Sequence, residues 1–428
     1  MRRRVRLAVV SAAVVLVLSP WLLTYLGNFA AAHAIQRRDY VAAGQWVQVA
    51  SFSGIPSAET QFLKARLQRH DGKLDAMQET LLQAVKQGLA PERADREQTL
   101  AIAQSGNIAA VQRKLREMLI DQQGDGPEIS DAYLNGCLIQ RNFEDAEVLL
   151  EGWKADFPAD PKAPFMEGRL REFLRDRETA TECYVRSLKL NENFLPAAFA
   201  LGRLRLQDNR PEAAADLFRR CLQLENPVAA QIELAKALNA DGQSEAAREL
   251  LGLAAHASQD TLRKSYRAVG APLDGLPAHA EMGELELQHQ NYKEAVKWLD
   301  EALLASPQNL SLRYSRATAL RGAGRGEEAA QEFEEVSRIR KLLTEVDQLV
   351  DEVTPDTAAI EKRLRIGQLY YQYRSADVGA YWVKSILRFE PEYEPAHRFL
   401  AKYYREKAEN NPAWAAFSDL HDQRRSQP

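Results

Sequence analysis

Small residues recur along the C-terminal two thirds of this chain at a fixed interval. Gly168, Gly202, Ala235, Gly283, Ala317, Gly367 and Ala401 are each followed, twelve positions on, by Ala180, Ala214, Ala247, Ala295, Ala329, Gly379 and Ala413. Four of the steps between successive pairs are 34 or 33 residues, and a further two are longer. The stretch Gly202–Leu224, GRLRLQDNRPEAAADLFRRCLQL, shows the unit in full. A segment of this length holds two antiparallel helices, and they cross closely only where the facing residues are small. Large apolar residues such as Phe218, Leu299 and Phe333 are then expected to fill the space towards the next unit. No unit of this kind buries its apolar faces alone, so stacking must supply the core.

The rest of the composition agrees with helix. Leu, Ala, Glu, Arg and Gln dominate, and no stretch keeps a strand-like alternation of Val, Ile and Thr. The formal net charge is −4, and the first six residues, MRRRVR, hold four arginines. Beyond them 52 basic residues face 60 acidic ones, which argues against a chain-wide nucleic-acid surface. The three cysteines, Cys137, Cys183 and Cys221, include no CxxC pair. Cys183 and Cys221 fall in successive units about one helical turn out of register, beyond disulfide reach. Free thiols acting as small core residues are expected.

Residues 1–6 read as a cytoplasmic basic tail and 7–26 as a transmembrane signal anchor. Leu7 to Leu26 is free of charge, and twenty helical residues span roughly 30 Å, about the hydrocarbon thickness of a bilayer. Pro20 and Trp21 sit near its far end, where an interfacial aromatic belongs, and the preceding arginines put the N-terminus inside. The repeats then lie on the outer, periplasmic side. The alternative is a cleaved signal peptide and a secreted chain, with Ala32-His33-Ala34 as an A-x-A site.

Residues 28–158 read as degenerate helical repeats, with turns at Asp39, Gly72, Ser105-Gly106 and Asn142. The period is explicit over 159–260, is broken by an insertion at 261–275 rich in Gly and Pro, and resumes over 276–353. Glu327 to Val353 contains no Gly or Pro and keeps helical spacing, so a long helix ends that block. It is read as a brace for the C-terminal repeats rather than a dimerisation face. Residues 356–420 continue the repeats to a capping helix, and 421–428 form a disordered tail.

These residues resemble the tetratricopeptide (TPR) repeat. Gly283, Ala295, Leu299, Ala302 and Pro307 stand where that family has its position 8 small residue, position 20 alanine, position 24 large residue, position 27 small residue and position 32 proline, and Tyr292 also falls in its expected place. The resemblance covers 162–420 and continues in degenerate form through 35–161. Arg171 and Arg205 depart from it at position 11, and Gly379 at position 20. It implies an all-α, TPR-like α-solenoid, a right-handed superhelix of helix hairpins, after one N-terminal transmembrane helix. The layout also resembles that of bacterial membrane-anchored TPR proteins.

No P-loop, GxSxG, HExxH or dinucleotide fingerprint is present, and repeats leave no room for a catalytic domain, so no enzyme activity, catalytic residue or cofactor is expected. His279 and His289, with Glu281, Glu284 and Glu286 between them, are read as ordinary polar residues of an exposed helix face and not as a metal site. In TPR proteins the first helix of each unit lines a concave face. The resemblance places Arg169, Arg203 and Lys236 there at position 9, and Phe165, Phe199 and Ile232 at position 5. Basic groups beside apolar ones could hold an acidic peptide or a terminal carboxylate. The expected function is a protein-interaction scaffold that binds peptide segments, with a protein or peptide partner and the membrane, but no nucleic acid. Alternatives are a homo-oligomeric component of an envelope or secretion assembly, and the regulatory arm of an enzyme complex.

Overall fold

The computed structural model describes residues 20–425 except 53, 56, 107, 141, 226, 354–357 and 411–414. Among them every regular element is helical, and the architecture is an all-α, TPR-like helical repeat. The chain divides into two compact units, 1–204 and 205–428.

Unit 1 begins with a helix whose described part spans 20–36 (α1). It continues with α2 (Tyr40–Phe52), α3 (Ala58–His70), α4 (Leu74–Lys86), α5 (Pro91–Gln104), a short 3₁₀ turn at Ile108–Ala110, α6 (Gln112–Ile120), α7 (Gly126–Gln140), α8 (Phe143–Asp156), α9 (Lys162–Phe173), α10 (Arg177–Leu190) and α11 (Leu195–Gln207), the last containing the boundary. Neighbours pair as hairpins, and the first helices α3, α5 and α7 also touch in turn. Residues 7–19 of the segment 7–26 lie outside the described residues together with 1–6. Among the described residues no helix is long and apolar enough to cross a membrane.

Unit 2 holds α12 (Pro211–Glu225), α13 (Val228–Ala240), α14 (Ser244–Ala255), α15 (Gln259–Ala268), α16 (Pro277–Gln288), α17 (Tyr292–Ala305), α18 (Leu310–Gly322), α19 (Gly326–Glu352), α20 (Ile360–Tyr373), α21 (Ala376–Ile386), α22 (Glu394–Asn410) and α23 (Ala415–Arg425). The first helices α13, α16 and α18 stack on one another.

Local chemistry sets the helix ends. Ser57, Asn142, Asp176, Ser258 and Ser375 each accept a hydrogen bond from the amide three residues on, and Asn309 accepts two, which satisfies amides that have no partner inside the helix.

The small residues do what the spacing demands, with one correction. A Cβ on Gly168 would fall 2.5 Å from the Tyr184 ring, one on Gly283 would fall 2.6 Å from Leu299, and one on Gly367 would fall 2.4 Å from Val383. In each hairpin the position 8 glycine therefore faces the large position 24 side chain of the same unit, and not only the position 20 residue. Leu299 also packs on Leu312 and Leu320 of the next hairpin, so it serves both contacts. Gly379 answers the departure at position 20. A Cβ there would lie 2.5 Å from the Gly367 carbonyl oxygen and 2.7 Å from the Tyr371 nitrogen, both backbone atoms. Its partner in the pattern, Ala413, is outside the described residues.

Two insertions become helix. At the insertion read as a loop or a short extra turn at 261–275, α15 buries Leu262 and Tyr266, and Ser265 Oγ accepts from the Ala229 amide at 2.7 Å, closing the start of α13. The second half of α19 packs Val346, with Leu342 and Leu349, against Ile366, Leu369 and Tyr370 of α20. The segment expected to be a disordered tail is helical as far as Arg425, because His421 stacks on Tyr404 and Asp422 pairs with Arg405 at 2.8 Å. Cys137, Cys183 and Cys221 are free and buried. Burial pushes their thiols up to about 12, 11 and 12 respectively, so none is a ready nucleophile.

Candidate functional site

The first helices of the repeats carry the charged side chains, and the two units use them differently. In unit 1 they are turned into the protein. Arg69 of α3 is 2 % exposed. Its guanidinium donates to Glu97 of α5 and, at 2.6 Å, to Glu128 of α7. Arg66, one turn earlier, lies 2.9 Å from both Asp125 and Glu128. Next along, Lys162 of α9 pairs with Asp131 of α7. Arg38, in the turn between α1 and α2, reaches Asp160 in the turn before α9 through two hydrogen bonds of 2.6 and 2.9 Å. Asp160 also accepts from Trp153 Nε1 at 2.9 Å and from the Lys162 amide at 3.0 Å.

Burial alone would raise the carboxyl of Glu128, but Arg66, a hydrogen bond from His70 and Arg69 hold it well below the usual carboxylate range. Burial acts on Asp131 in the same direction and is outweighed by Lys162 and Arg38, so its carboxyl is lowered too. His70, whose ring lies tilted against that of Tyr40 with 3.9 Å between centres, is pushed down by burial and by Arg69. Paired charges in this number leave little of the inner face of α3, α5 and α7 free for a ligand.

In unit 2 the corresponding basic side chains are half-buried and paired, Glu233 among their partners being buried. Lys236 of α13 lies 3.2 Å from Glu281 of α16 and 3.6 Å from Glu233. Ser315 of α18 donates to Glu284 at 2.5 Å. Arg313 and Arg316 both reach Glu332 of α19, at 2.8 and 3.1 Å. A shallow, open depression of about 330 Å³ sits beside this last group, with Leu303, Leu304 and Pro307 on its rim. His279 packs edge-on against Trp298 and lies 3.2 Å from Glu301. Among the described residues no cluster of His, Cys, Asp and Glu could hold a metal ion.

Of the strip expected to bind peptide, the apolar members are all interior. Phe165, Phe199 and Ile232 are buried, which corrects the expectation that they face a groove. Positions 5 and 8 are three residues apart and share a helix face. Phe165 accordingly packs on Tyr184, 5.8 Å between ring centres, the same ring that lies over Gly168. The basic members Arg169, Arg203 and Lys236 are half-buried. Lys236 is neutralised by its two glutamates. Arg169 and Arg203, both in unit 1, make no ion pair or hydrogen bond among the described residues, and both act electrostatically on Tyr184.

The buried ion pairs of unit 1 escaped the sequence reading. A signal was present in it: Arg66 and Arg69, then Glu128 and Asp131, are oppositely charged pairs spaced three apart, each on one face of its own helix.

No family model and no curated protein matches the chain. Solved structures do. The MamA protein is 17% identical over 41% of this chain and 90% of its own, with a TM-score of 0.31. The pilF protein of Pseudomonas aeruginosa is 17% identical over 57% of this chain and 97% of its own, with a TM-score of 0.35. Human IFIT1, solved as a dimer with m7Gppp-AAAA, is 13% identical over 86% of this chain and 87% of its own, with a TM-score of 0.43.

Proposed function

We propose that this protein is a non-catalytic scaffold, tethered to a membrane through residues 7–26 with its repeats on the periplasmic side, that captures an acidic protein segment or a chain terminus on the first-helix face. One observation carries the binding reading. Arg169 and Arg203 are half-buried and make no ion pair among the described residues, within a unit whose buried charges on α3, α5 and α7 are matched. A carboxylate would supply two charge-assisted hydrogen bonds to such a group. Stacked hairpins hold the two arginines in place beforehand, so little ordering entropy is lost on binding.

The tether reading draws support from the packing of α1. Ala31, Ala34 and Ile35 are buried with Ala43, Val47 and Leu63. Cleavage after Ala34 would remove two of those core residues and the rest of the helix that carries them.

The test is partner capture. The intact chain and an Arg169→Glu/Arg203→Glu/Lys236→Glu variant are immobilised, exposed to envelope extract and compared by mass spectrometry. Partners held by the native chain should be lost from the variant, with Arg169 and Arg203 accounting for most of the loss and the already paired Lys236 for little. Unchanged capture would refute the site.

A further inference from the structure

The α1–α2 hairpin is unlike every later one. No Asp, Glu, Lys or Arg occurs from Leu7 through Gln36, or from Tyr40 through Ala58. The only such residues of the hairpin, Arg37, Arg38 and Asp39, are in its turn. Each α-helix from α3 to α23 contains at least one.

One face of α1 is fixed to the unit. A Cβ on Gly27 would fall 2.9 Å from the Ala50 nitrogen, so α1 and α2 lie in near backbone contact. Thr60 Oγ1 donates to Asn28 Oδ1 at 2.8 Å, and Asn28 Nδ2 donates to Ser57 Oγ at 3.3 Å. The other face is bare. Trp21, Tyr25 and Phe29 are 63%, 68% and 65% exposed, and Leu22 and Leu26 are exposed beside them. From α2, Phe52 is 91% exposed, with Trp46 and Val49 also uncovered. In an antiparallel hairpin registered at Gly27 and Ala50, Phe52 stands level with Tyr25. Trp21, Tyr25 and Phe52 thus crowd the end remote from the charged turn.

We propose that this end sits in the headgroup–acyl boundary of the bilayer, with Phe52 of α2 inserted beside Trp21 and Tyr25 of α1, so that unit 1 stands on the membrane at a fixed angle. The proposal rests on the tether reading. The occupant follows from continuity: the uncharged segment that begins at Leu7 runs directly into α1 at its bare end. Tryptophan and tyrosine favour that depth. An apolar patch of this extent is unusual on a surface facing only water.

Spin labels at single introduced cysteines report depth: Phe52→Cys, Val41→Cys at the other end of α2, roughly 16 Å away at 1.5 Å per residue, and Val148→Cys on α8. All three sites are exposed, and the native thiols are buried. The full chain is placed in vesicles of phosphatidylethanolamine and phosphatidylglycerol, and collisions with oxygen, which is lipid-soluble, are compared with those of a water-soluble nickel chelate. Oxygen should prevail at residue 52 and the chelate at 41 and 148. If the label at 52 matches that at 41, the proposal is overturned. Shielding of 52 from both probes overturns it too, and assigns the face to a second copy or to residues 1–19. Flotation and alkaline extraction of the same vesicles separate the two readings. A chain that fails to float defeats the tether and this proposal together, whereas a floating chain with residue 52 in water defeats this proposal alone.

Discussion

In unit 1 the first helices α3, α5 and α7 meet through buried opposite charges, whereas in unit 2, as at Gly168 between α9 and α10, the hairpins close through glycine and alanine. Arg69 touches carboxylates from α5 and α7 at once; Gly367 and Gly379 bring two backbones together with nothing between them. The two solutions fail differently. A small-residue crossing tolerates no added volume. A buried ion pair tolerates no missing partner, because the remaining charge keeps its desolvation cost, although an apolar replacement of the whole group is often neutral or stabilising.

The largest effect should follow from breaking the charged interior. Glu128→Gln leaves Arg66 and Arg69 short of a countercharge and is expected to cost about 3–5 kcal/mol. Denaturant unfolding, with hydrogen exchange to locate the loss in residues 20–204, measures it. A loss within the range of an ordinary surface change would show that the interior is screened by water.

Next comes added volume in unit 2. Gly379→Ala raises helix propensity by about 1 kcal/mol, yet its methyl would meet two backbone atoms. Net destabilisation is expected, as it is for Ala295→Leu, at about 1–3 kcal/mol each. Unchanged thermal unfolding of both would remove the crossing register.

Acid should separate the units. The folded-state pKa of His70 lies below its unfolded value, so the unfolded chain binds more protons once pH falls under about 6.5, and stability drops from there. Glu128 and Asp131 are depressed as well; their contribution is present above about pH 4 and is lost as pH falls through their folded values. Amide protection in unit 1 should therefore weaken at pH 5 relative to pH 7 and collapse at lower pH, ahead of unit 2. Equal loss in both units would count against the contrast.

The smallest effect belongs to charge without burial. Arg113 and Glu117 of α6 pair at 3.1 Å, but their side chains are largely in water. Arg113→Ala should change stability by less than about 0.5 kcal/mol, which isolates burial, not charge count, as the cause of the Glu128 effect.

This difference also decides what the sequence could reveal. A glycine at a helix crossing is a local constraint that repeats at a fixed interval, so Gly168, Gly283 and Gly367 announce their hairpins. The turns at Asp39, Gly72, Ser105-Gly106 and Asn142 were legible for the same reason; Gly72 and Gly106 have positive φ. Unit 1 hid its interior because Arg66, Arg69, Glu97 and Glu128 occupy inward positions where apolar residues would have marked the period. Their partners lie in other helices, from 28 residues away between Arg69 and Glu97 to 59 between Arg69 and Glu128 and further between Arg66 and Glu128, separations that leave no spacing signal. Position 9 gave half-buried basic groups, but position 5 proved to share a face with position 8, so Phe165, Phe199 and Ile232 went to the core. α15 read only as a loop or a short extra turn because Gly270, Pro272, Gly275 and Pro277 follow it directly, until Ser265 is seen at the α13 amide.

The double hydrogen bond from Arg38 to Asp160 joins turns 122 residues apart in sequence. A simple repeat array contacts only its neighbours, and can therefore zip up from any point or lose an end unit with little harm. A chain that fastens its first turn to its ninth helix gives up that freedom. Residues 38–160 must all be synthesised before the clasp can shut, and loop-closure entropy makes such distant pairings slow to form. Shortened versions ending before Asp160 should lack the clasp and leave the turn between α1 and α2 without its fastening.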